Sequence, residues 1–382
     1  MKILFLTNIP APYRIDFFSE LGKLCELTVV FERIDATNRD KDWLSSTPSN
    51  FKPIFLKGLR IGAESSLCPS IIKYLKKGAY DAIIVGGYGT PTGMIAIQHL
   101  RNKGIPFILN ADGGFIKYEN RLKYSIKSYL IKSASYWLST GNTTTDYLVH
   151  YGASLNEIFC YPFTSLLKKD LSEKILTISE KKSYKEKLSI KEDKMVISIG
   201  RFIPIKGFDI LIRSAIKIQD NIGIYIIGGE PIPEYINLIK KLNITNIHFI
   251  DFISKLELFD YYSASDLFVL PTRGDVWGLV VNEAMAHGLP IITTNMCIAG
   301  IELISEGENG FIIPVDDSEQ LARAIDRVLS NDSLVRTMSE KSLEKIKNFN
   351  IENMAKEIYG FLVSKQISER PVTTLRPWEK NP

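Results

Sequence analysis

Strand-like apolar runs alternate with helix-period segments along almost the whole chain, and the alternation breaks only once, near residue 180. In the first half the apolar runs lie at 2–8, 26–32, 51–56, 81–87, 106–112, 136–140 and 158–164, with helical spacing at 13–24, 69–77, 92–102, 119–133 and 144–151. Runs that are apolar throughout, rather than at every second residue, belong to strands buried on both faces, and strands separated by helices pair in parallel. Between 168 and 194 lysine and glutamate crowd together with few large apolar residues, which predicts a solvated connector with some helix. The alternation then resumes, with runs at 194–201, 222–229, 247–252, 267–271, 289–294 and 310–315. The expected fold is α/β, with two doubly wound, Rossmann-like domains facing an interdomain cleft. The expected limits are 1–168 for the first domain, 169–193 for the connector and 194–350 for the second domain, followed by a C-terminal helix over 351–365 and a tail over 366–382.

A chain of 382 residues is too long for one ordinary core, and 45% hydrophobic with 24% charged residues is globular composition. A net charge of +4 without a basic tract interleaved with aromatics argues against nucleic acid. Cys25, Cys68, Cys160 and Cys297 are far apart and form no CxxC, so buried free thiols are expected rather than a metal site or a disulfide framework. The start, Met1 to Asn8, is cut short by Pro10 and Pro12 and reads as a first buried strand instead of a signal peptide. No apolar run reaches the length of a membrane span. The expected location is cytoplasmic.

Open parallel sheets bind ligands outside the C-terminal ends of their strands, and a helix start there favours phosphate. Asp275 lies in the loop after the strand 267–271, and Glu283 lies a turn or two into the helix that follows. Two acceptor carboxylates flanking an anion site suit a ligand with hydroxyls on both sides of a phosphate, and a nucleotide sugar is such a ligand. Arg201 ends the strand 194–201 and Lys206 follows five residues later, so the two can reach opposite oxygens of one diphosphate, Arg as a fork and Lys as a point charge. Read alone they can equally be two solvated loop cations. Gly228-Gly229 at the next strand end permits close approach of a ligand, or simply a tight turn. Phe252, after Asp251, could offer a ring face to a base.

Taken together, Gly200-Arg201…Lys206-Gly207, Tyr261-Tyr262…Ala264-Ser265-Asp266-Leu267-Phe268-Val269-Leu270-Pro271, Asp275…Glu283-Ala284-Met285-Ala286-His287-Gly288-Leu289-Pro290 and Asn309-Gly310-Phe311 resemble the retaining glycosyltransferases of family 4, which have the GT-B fold. The resemblance is clearest from Met195 to Val315. It implies a sugar transfer from a nucleotide diphosphate sugar to an acceptor hydroxyl, in surface polysaccharide or glycoconjugate assembly, with no cofactor and no metal. In that reading Arg201 and Lys206 bind the diphosphate, Glu283 the ribose hydroxyls and Asp275 the donor sugar. The backbone at Gly278 and Leu279 helps hold phosphate. The family usually has Glu where this chain has Asp275, and many members carry a His in a first-half loop where this chain has none. Two other readings keep the fold: a nucleotide-sugar epimerase, and a nucleotide-sugar-binding protein without catalysis.

The first half would then hold a saccharide or lipid-linked saccharide acceptor. Its corresponding loops are 8–14, 86–91 and 110–115, where Asp112 is the nearest polar candidate for a catalytic or hydroxyl-binding role, or a turn residue beside two glycines. Arg14 could meet an anion there or be solvated. Asp40-Lys41-Asp42 is a literal DxD, but it lies in a polar connector and not at a strand end, so it reads as loop charge. Residues 117–132 interleave Lys117, Arg121, Lys123, Lys127 and Lys132 with apolar side chains. They form either a basic face for peripheral contact with the inner membrane or an ordinary covering helix.

Overall fold

The computed structural model describes residues 1–35, 49–219 and 221–365, and the Asp40–Asp42 motif and the 366–382 tail lie outside them. The described chain divides into two compact units. The first unit runs from Met1 to Leu167 and regains the chain from Asn350 onward, and the second is Lys168–Phe349.

The first unit is built as β1 (Lys2–Thr7), α1 (Pro12–Leu21), β2 (Glu26–Phe31), β3 (Lys52–Phe55), a hairpin of β4 (Leu59–Ile61) and β5 (Ser65–Leu67), β6 (Ala82–Val85), α2 (Pro91–Asn102), β7 (Ile108–Ala111), α3 (Arg121–Lys132), β8 (Tyr136–Ser139), α4 (Asn142–His150) and β9 (Ile158–Cys160). Its seven-stranded sheet has the order β3-β2-β1-β6-β7-β8-β9, and every pairing is parallel. β6, β7 and β8 are buried at every residue, as apolar runs covered on both faces require. The core between sheet and helices includes Leu4, Val85, Ile97, Phe107 and Tyr151. The helical spacing at 69–77 becomes only a short 3-10 turn, Pro69–Lys73.

The second unit contains α5 (Ile178–Lys187), β10 (Lys194–Ile199), α6 (Phe208–Ser214), β11 (Ile222–Ile227), α7 (Pro233–Leu242), β12 (Ile247–Ile250), α8 (Lys255–Ala264), β13 (Leu267–Leu270), α9 (Leu279–Ala286), β14 (Ile291–Thr294), α10 (Ile298–Leu303), β15 (Gly310–Ile313), α11 (Ser318–Leu329) and α12 (Asp332–Ile346). Its sheet is also all parallel, in the order β12-β11-β10-β13-β14-β15. The order reverses direction between β10 and β13, which pair at Val196↔Leu267 and Ile197↔Phe268. That switch point separates the loops on either side and opens a crevice at the C-terminal strand ends. α5 lies in the middle of the polar stretch after residue 168. It starts at a capping box, where Thr177 and Glu180 satisfy each other's backbone N–H groups, and it packs on α8.

The chain then returns to the first unit as α13 (Ile351–Lys365), which packs beside α1. Phe361 stacks on Phe159 with centroids 4.8 Å apart and meets the edge of Tyr136 at 5.8 Å. Aromatic pairs of this kind hold an element by area and geometry together. Among the described residues no helix is long and apolar enough to cross a membrane.

Candidate functional site

The loops after β10 and β13 face each other across the switch point of the second sheet, and the sequence makes them approach closely. Gly207 has φ +70°, and a Cβ there would lie 2.0 Å from the carbonyl oxygen of Pro271. Only glycine tolerates both the conformation and the contact. The approach is stitched by hydrogen bonds. Thr272 Oγ1 and the Arg273 backbone N–H donate to the carbonyl of Ile205 at 2.9 and 2.7 Å. The Arg273 guanidinium donates to the Pro204 carbonyl at 2.6 Å, takes both oxygens of Asp209 at 2.9 and 2.7 Å, and reaches Asp316 at 2.6 Å. A planar fork bound on all sides fixes a loop more firmly than a point charge does.

Across this fixed junction Lys206 Nζ donates to Asp275 Oδ2 at 2.5 Å, with each side chain about one-fifth exposed. The two residues, 69 apart in sequence, therefore share one spot at the switch point. Asp275 is held from behind, because its backbone N–H donates to the Met296 carbonyl at 2.9 Å. Gly278 follows with φ +100° and caps α9 without any side-chain hydrogen bond, and the first turn of α9 carries no acid. The first N–H groups of a helix have no partner within the helix, and the α9 start, directly after the Asp275 loop, supplies no capping side chain for them. Leu279 is the first residue of α9.

Glu283 sits on the second turn of α9 and is partly buried. Tyr262 of α8 donates its hydroxyl to Glu283 Oε2 at 3.2 Å. The Tyr262 ring is buried and stacks on His287, centroids 4.7 Å apart and 17° from parallel. Burial and then the Glu283 charge raise the Tyr262 pKa well above the phenol value, so the hydroxyl stays a donor at neutral pH. Burial pushes the His287 pKa down, and its Nδ1–H donates to the Glu283 carbonyl at 2.8 Å. In the sequence Tyr262 appears only within the Tyr261-Tyr262 motif, and the signal for its role is its position on the helix just before β13.

Arg201 is exposed in the loop directly after β10. Gly229 and Phe252 lie in the loops after β11 and β12, one and two strands further from the switch point. Gly229 has φ +110° and faces open space, and Phe252 is 56% exposed. The structure thus joins Lys206 to Asp275 by contact and places Gly278, Leu279 and Glu283 along the helix that begins beside Asp275. It leaves Phe252 and Gly229 on the same sheet edge at greater remove.

In the first unit Asp112 follows β7, and its two oxygens are both engaged. One accepts from Arg14, and the other accepts from Asn110 Nδ2 at 2.8 Å. Asn110 in turn accepts from the Tyr161 hydroxyl at 2.9 Å. Arg14, read from sequence as meeting an anion or solvent, is instead 4% exposed and spent on Asp112. Burial opposes its charge, but Asp112, first among the groups around it, together with Tyr13 and Tyr161 offsets that and raises the guanidinium pKa further. The pair clamps the loop after β7 to α1. A second clamp lies at the end of β2, where buried Glu32 accepts from the Ser66 backbone N–H at 3.0 Å and from the Thr90 hydroxyl at 2.5 Å.

Residues 180–345 match the family model described as Glycosyl transferases group 1. The matched segment contains Arg201, Lys206, Gly229, Phe252, Tyr262, Asp275, Gly278, Leu279 and Glu283. An uncharacterized glycosyltransferase of Haemophilus influenzae is 33% identical over 184 residues, covering 47% of this chain and 51% of that protein. The match thus spans about half the length of that relative. An uncharacterized 41.2 kDa protein in the cps region of Klebsiella pneumoniae is 27% identical over 281 residues, 70% of this chain and 75% of that one. Sucrose-phosphate synthase from Thermosynechococcus elongatus superposes with a TM-score of 0.77 at 18% identity, over 95% of this chain and 98% of that chain. Anabaena HepE in complex with UDP and glucose gives 0.76 at 16% identity, over 95% and 100%. The expected α/β fold of the GT-B glycosyltransferases, with two Rossmann-like halves, is the fold observed.

Proposed function

We propose that the protein is a retaining glycosyltransferase, similar to family 4, that moves a sugar from a nucleotide diphosphate sugar to a saccharide hydroxyl without a metal ion. The observation that carries this reading is the Lys206–Asp275 contact across the switch point, inside the segment that matches the family. An ammonium has three N–H donors, and the hydrogen bond to Asp275 occupies one. Two can still meet a diphosphate, joined by Arg201 from the end of β10 and by the backbone N–H groups of Gly278 and Leu279. Asp275 then receives hydroxyls of the donor sugar, and Glu283, oriented by Tyr262, receives those of the ribose. The acceptor oxygen forms its bond to the anomeric carbon on the face the phosphate leaves. The C–O bond to phosphate breaks with its electron pair, and the acceptor proton passes to the departing phosphate oxygen. The protein's part is position and preorganised positive charge. Likeness to the Klebsiella protein of a cps region supports a role in surface polysaccharide assembly, and likeness to HepE with UDP puts uridine diphosphate sugars first among donors to try.

The test is a thermal-shift screen over UDP, GDP, ADP and dTDP sugars, followed by turnover with saccharide acceptors and assignment of the product anomer by NMR. A bound donor raises the melting temperature by mass action. Turnover is expected to survive EDTA, and activity lost to chelator and restored by Mg²⁺ would overturn the metal-free part. Donor isomerised without acceptor would make the protein an epimerase, and a thermal shift with no turnover would make it a binder.

Tyr262→Phe tests the ribose contact. It removes one hydrogen bond to a charged group, which is worth about 1.5–3 kcal/mol at most. The donor KM is expected to rise about tenfold with kcat little changed, because the lost contact is the same in ground and transition states. An unchanged KM would remove Glu283 from the donor site.

A further inference from the structure

The first turns of α3 and the stretch before them stand out of the first unit. Every residue from Asn120 to Ile126 is exposed, and α3 begins to bury side chains only at Ser128, Leu130 and Ile131. The exposed part is strongly apolar. Tyr118 is fully exposed, Leu122 is 72% and Ile116 52% exposed, and Ile126 lies one turn beyond Leu122 on the same stripe. Tyr124 is tied down, donating to the His150 carbonyl at 3.1 Å. An open groove of about 370 Å³ runs beside Leu122 and Ile126, with Met94 of α2 on its other side, and continues the apolar face.

Lys117, Arg121 and Lys123 alternate with these apolar side chains. The single acid of the segment, Glu119, is turned inward. Its side chain is 5% exposed, it accepts from Lys127 at 2.6 Å and from the Tyr151 hydroxyl at 2.9 Å, and it pairs with Lys123 at 3.2 Å, whose own side chain stays 63% exposed. The projecting face therefore presents apolar groups and cations, while its one carboxylate faces the protein. A second copy of the chain could not cover it by a two-fold contact, since that would set cations against cations. A surface that accepts apolar side chains between anionic groups is a bilayer with anionic headgroups.

We propose that residues 116–126 dock this protein on an anionic phospholipid surface, with Leu122, Ile126, Ile116 and Tyr118 entering the headgroup boundary and Lys117, Arg121 and Lys123 meeting lipid phosphates. The proposal does not depend on the reaction proposed above. It is tested by sedimenting the full chain with vesicles of phosphatidylcholine alone, or with roughly a third phosphatidylglycerol. Binding is expected only to the anionic vesicles and is expected to weaken as salt is raised. Lys117→Gln/Arg121→Gln/Lys123→Gln is expected to lower partitioning by about a hundredfold, the product of three cations near a charged surface. Leu122→Ser/Ile126→Ser is expected to lower it as well, at unchanged charge. All five positions are exposed, and unchanged far-UV circular dichroism of both variants checks that the fold is kept. Equal binding to both vesicle types, undiminished binding by either variant, or a dimer lost in the variants without any vesicle binding would each overturn the proposal.

Discussion

Lys206→Ala is expected to lower kcat/KM for donor turnover by about a hundred- to a thousandfold, the loss typical when one preorganised donor is taken from a developing oxyanion. The expectation follows from where the ammonium is fixed. Lys206 leaves a loop held by glycine, by Thr272 and by the Arg273 fork, so its reach is set before any ligand arrives. A charge held in place needs little reorganisation when negative charge grows on the departing phosphate. Lys206→Ala also leaves the Asp275 carboxylate without the cation beside it, so uncompensated like charge faces the proposed diphosphate position. Both effects act in one direction. Asp275→Ala acts differently, because it keeps the ammonium and frees the donor now spent on Asp275, while it removes the acceptor of sugar hydroxyls. Its loss is expected to fall more on KM for the sugar donor than on affinity for the nucleoside diphosphate alone. Steady-state kinetics of the two variants with one donor decide the matter. A Lys206→Ala enzyme within about threefold of the parent would place the diphosphate elsewhere.

The parts of this site that the sequence revealed are the ones that depend on chain-local pattern. Continuous apolar runs located the strands, parallel pairing followed from the helices between them, and the C-terminal strand ends then named the loops that carry Arg201, Lys206 and Asp275. What the sequence hid are contacts between distant polar groups. Nothing near Arg14 announces that it will be buried against Asp112, 98 residues away. Nothing in the loop charges 204–209 reveals that Arg273 will collect Asp209, Asp316 and a carbonyl into one knot. The hairpin of β4 and β5 is too short and too exposed at Leu59–Ile61 to leave an alternation. α13 has the ordinary spacing of an amphipathic helix, and the spacing cannot say that Phe361 will stack on Phe159, some two hundred residues earlier. α5 was legible only as some helix within a solvated connector, for the opposite reason. No residue of it is fully buried, so no apolar stripe marks its limits, and it is held by charge.

That charge makes Asp266 the position where substitution is expected to cost the most stability, about 3–5 kcal/mol for Asp266→Ala. Asp266 immediately precedes β13 and is buried. Its carboxylate accepts from Lys185 at 2.9 Å, from Lys181 at 3.4 Å and from the Met195 backbone N–H of β10 at 2.9 Å. One side chain thereby ties α5, β10 and β13 together at the N-terminal edge of the second sheet, the edge opposite the candidate site. Burial alone would raise its pKa, but the two ammonium groups more than offset that and leave it lowered. A folded pKa below the unfolded one means that this contribution is complete above the unfolded value, near 4, and is lost as the pH falls through the folded value. Lys181 is shifted the other way relative to its need, since burial pulls its pKa down despite Asp266. With Asp266 gone, two cations on one face of α5 have lost their shared counterion, and Lys181 is expected to turn out to solvent and take α5 with it. Denaturant titration should give a lower midpoint for the second unit, and hydrogen exchange should show α5 opening before the sheet. Replacing the group as a set, with Asp266→Leu, Lys181→Met and Lys185→Met together, should recover much of the loss, because no charge is then left buried without a partner. A single Asp266→Ala change costing under about 1 kcal/mol would show that α5 is held by something other than this carboxylate.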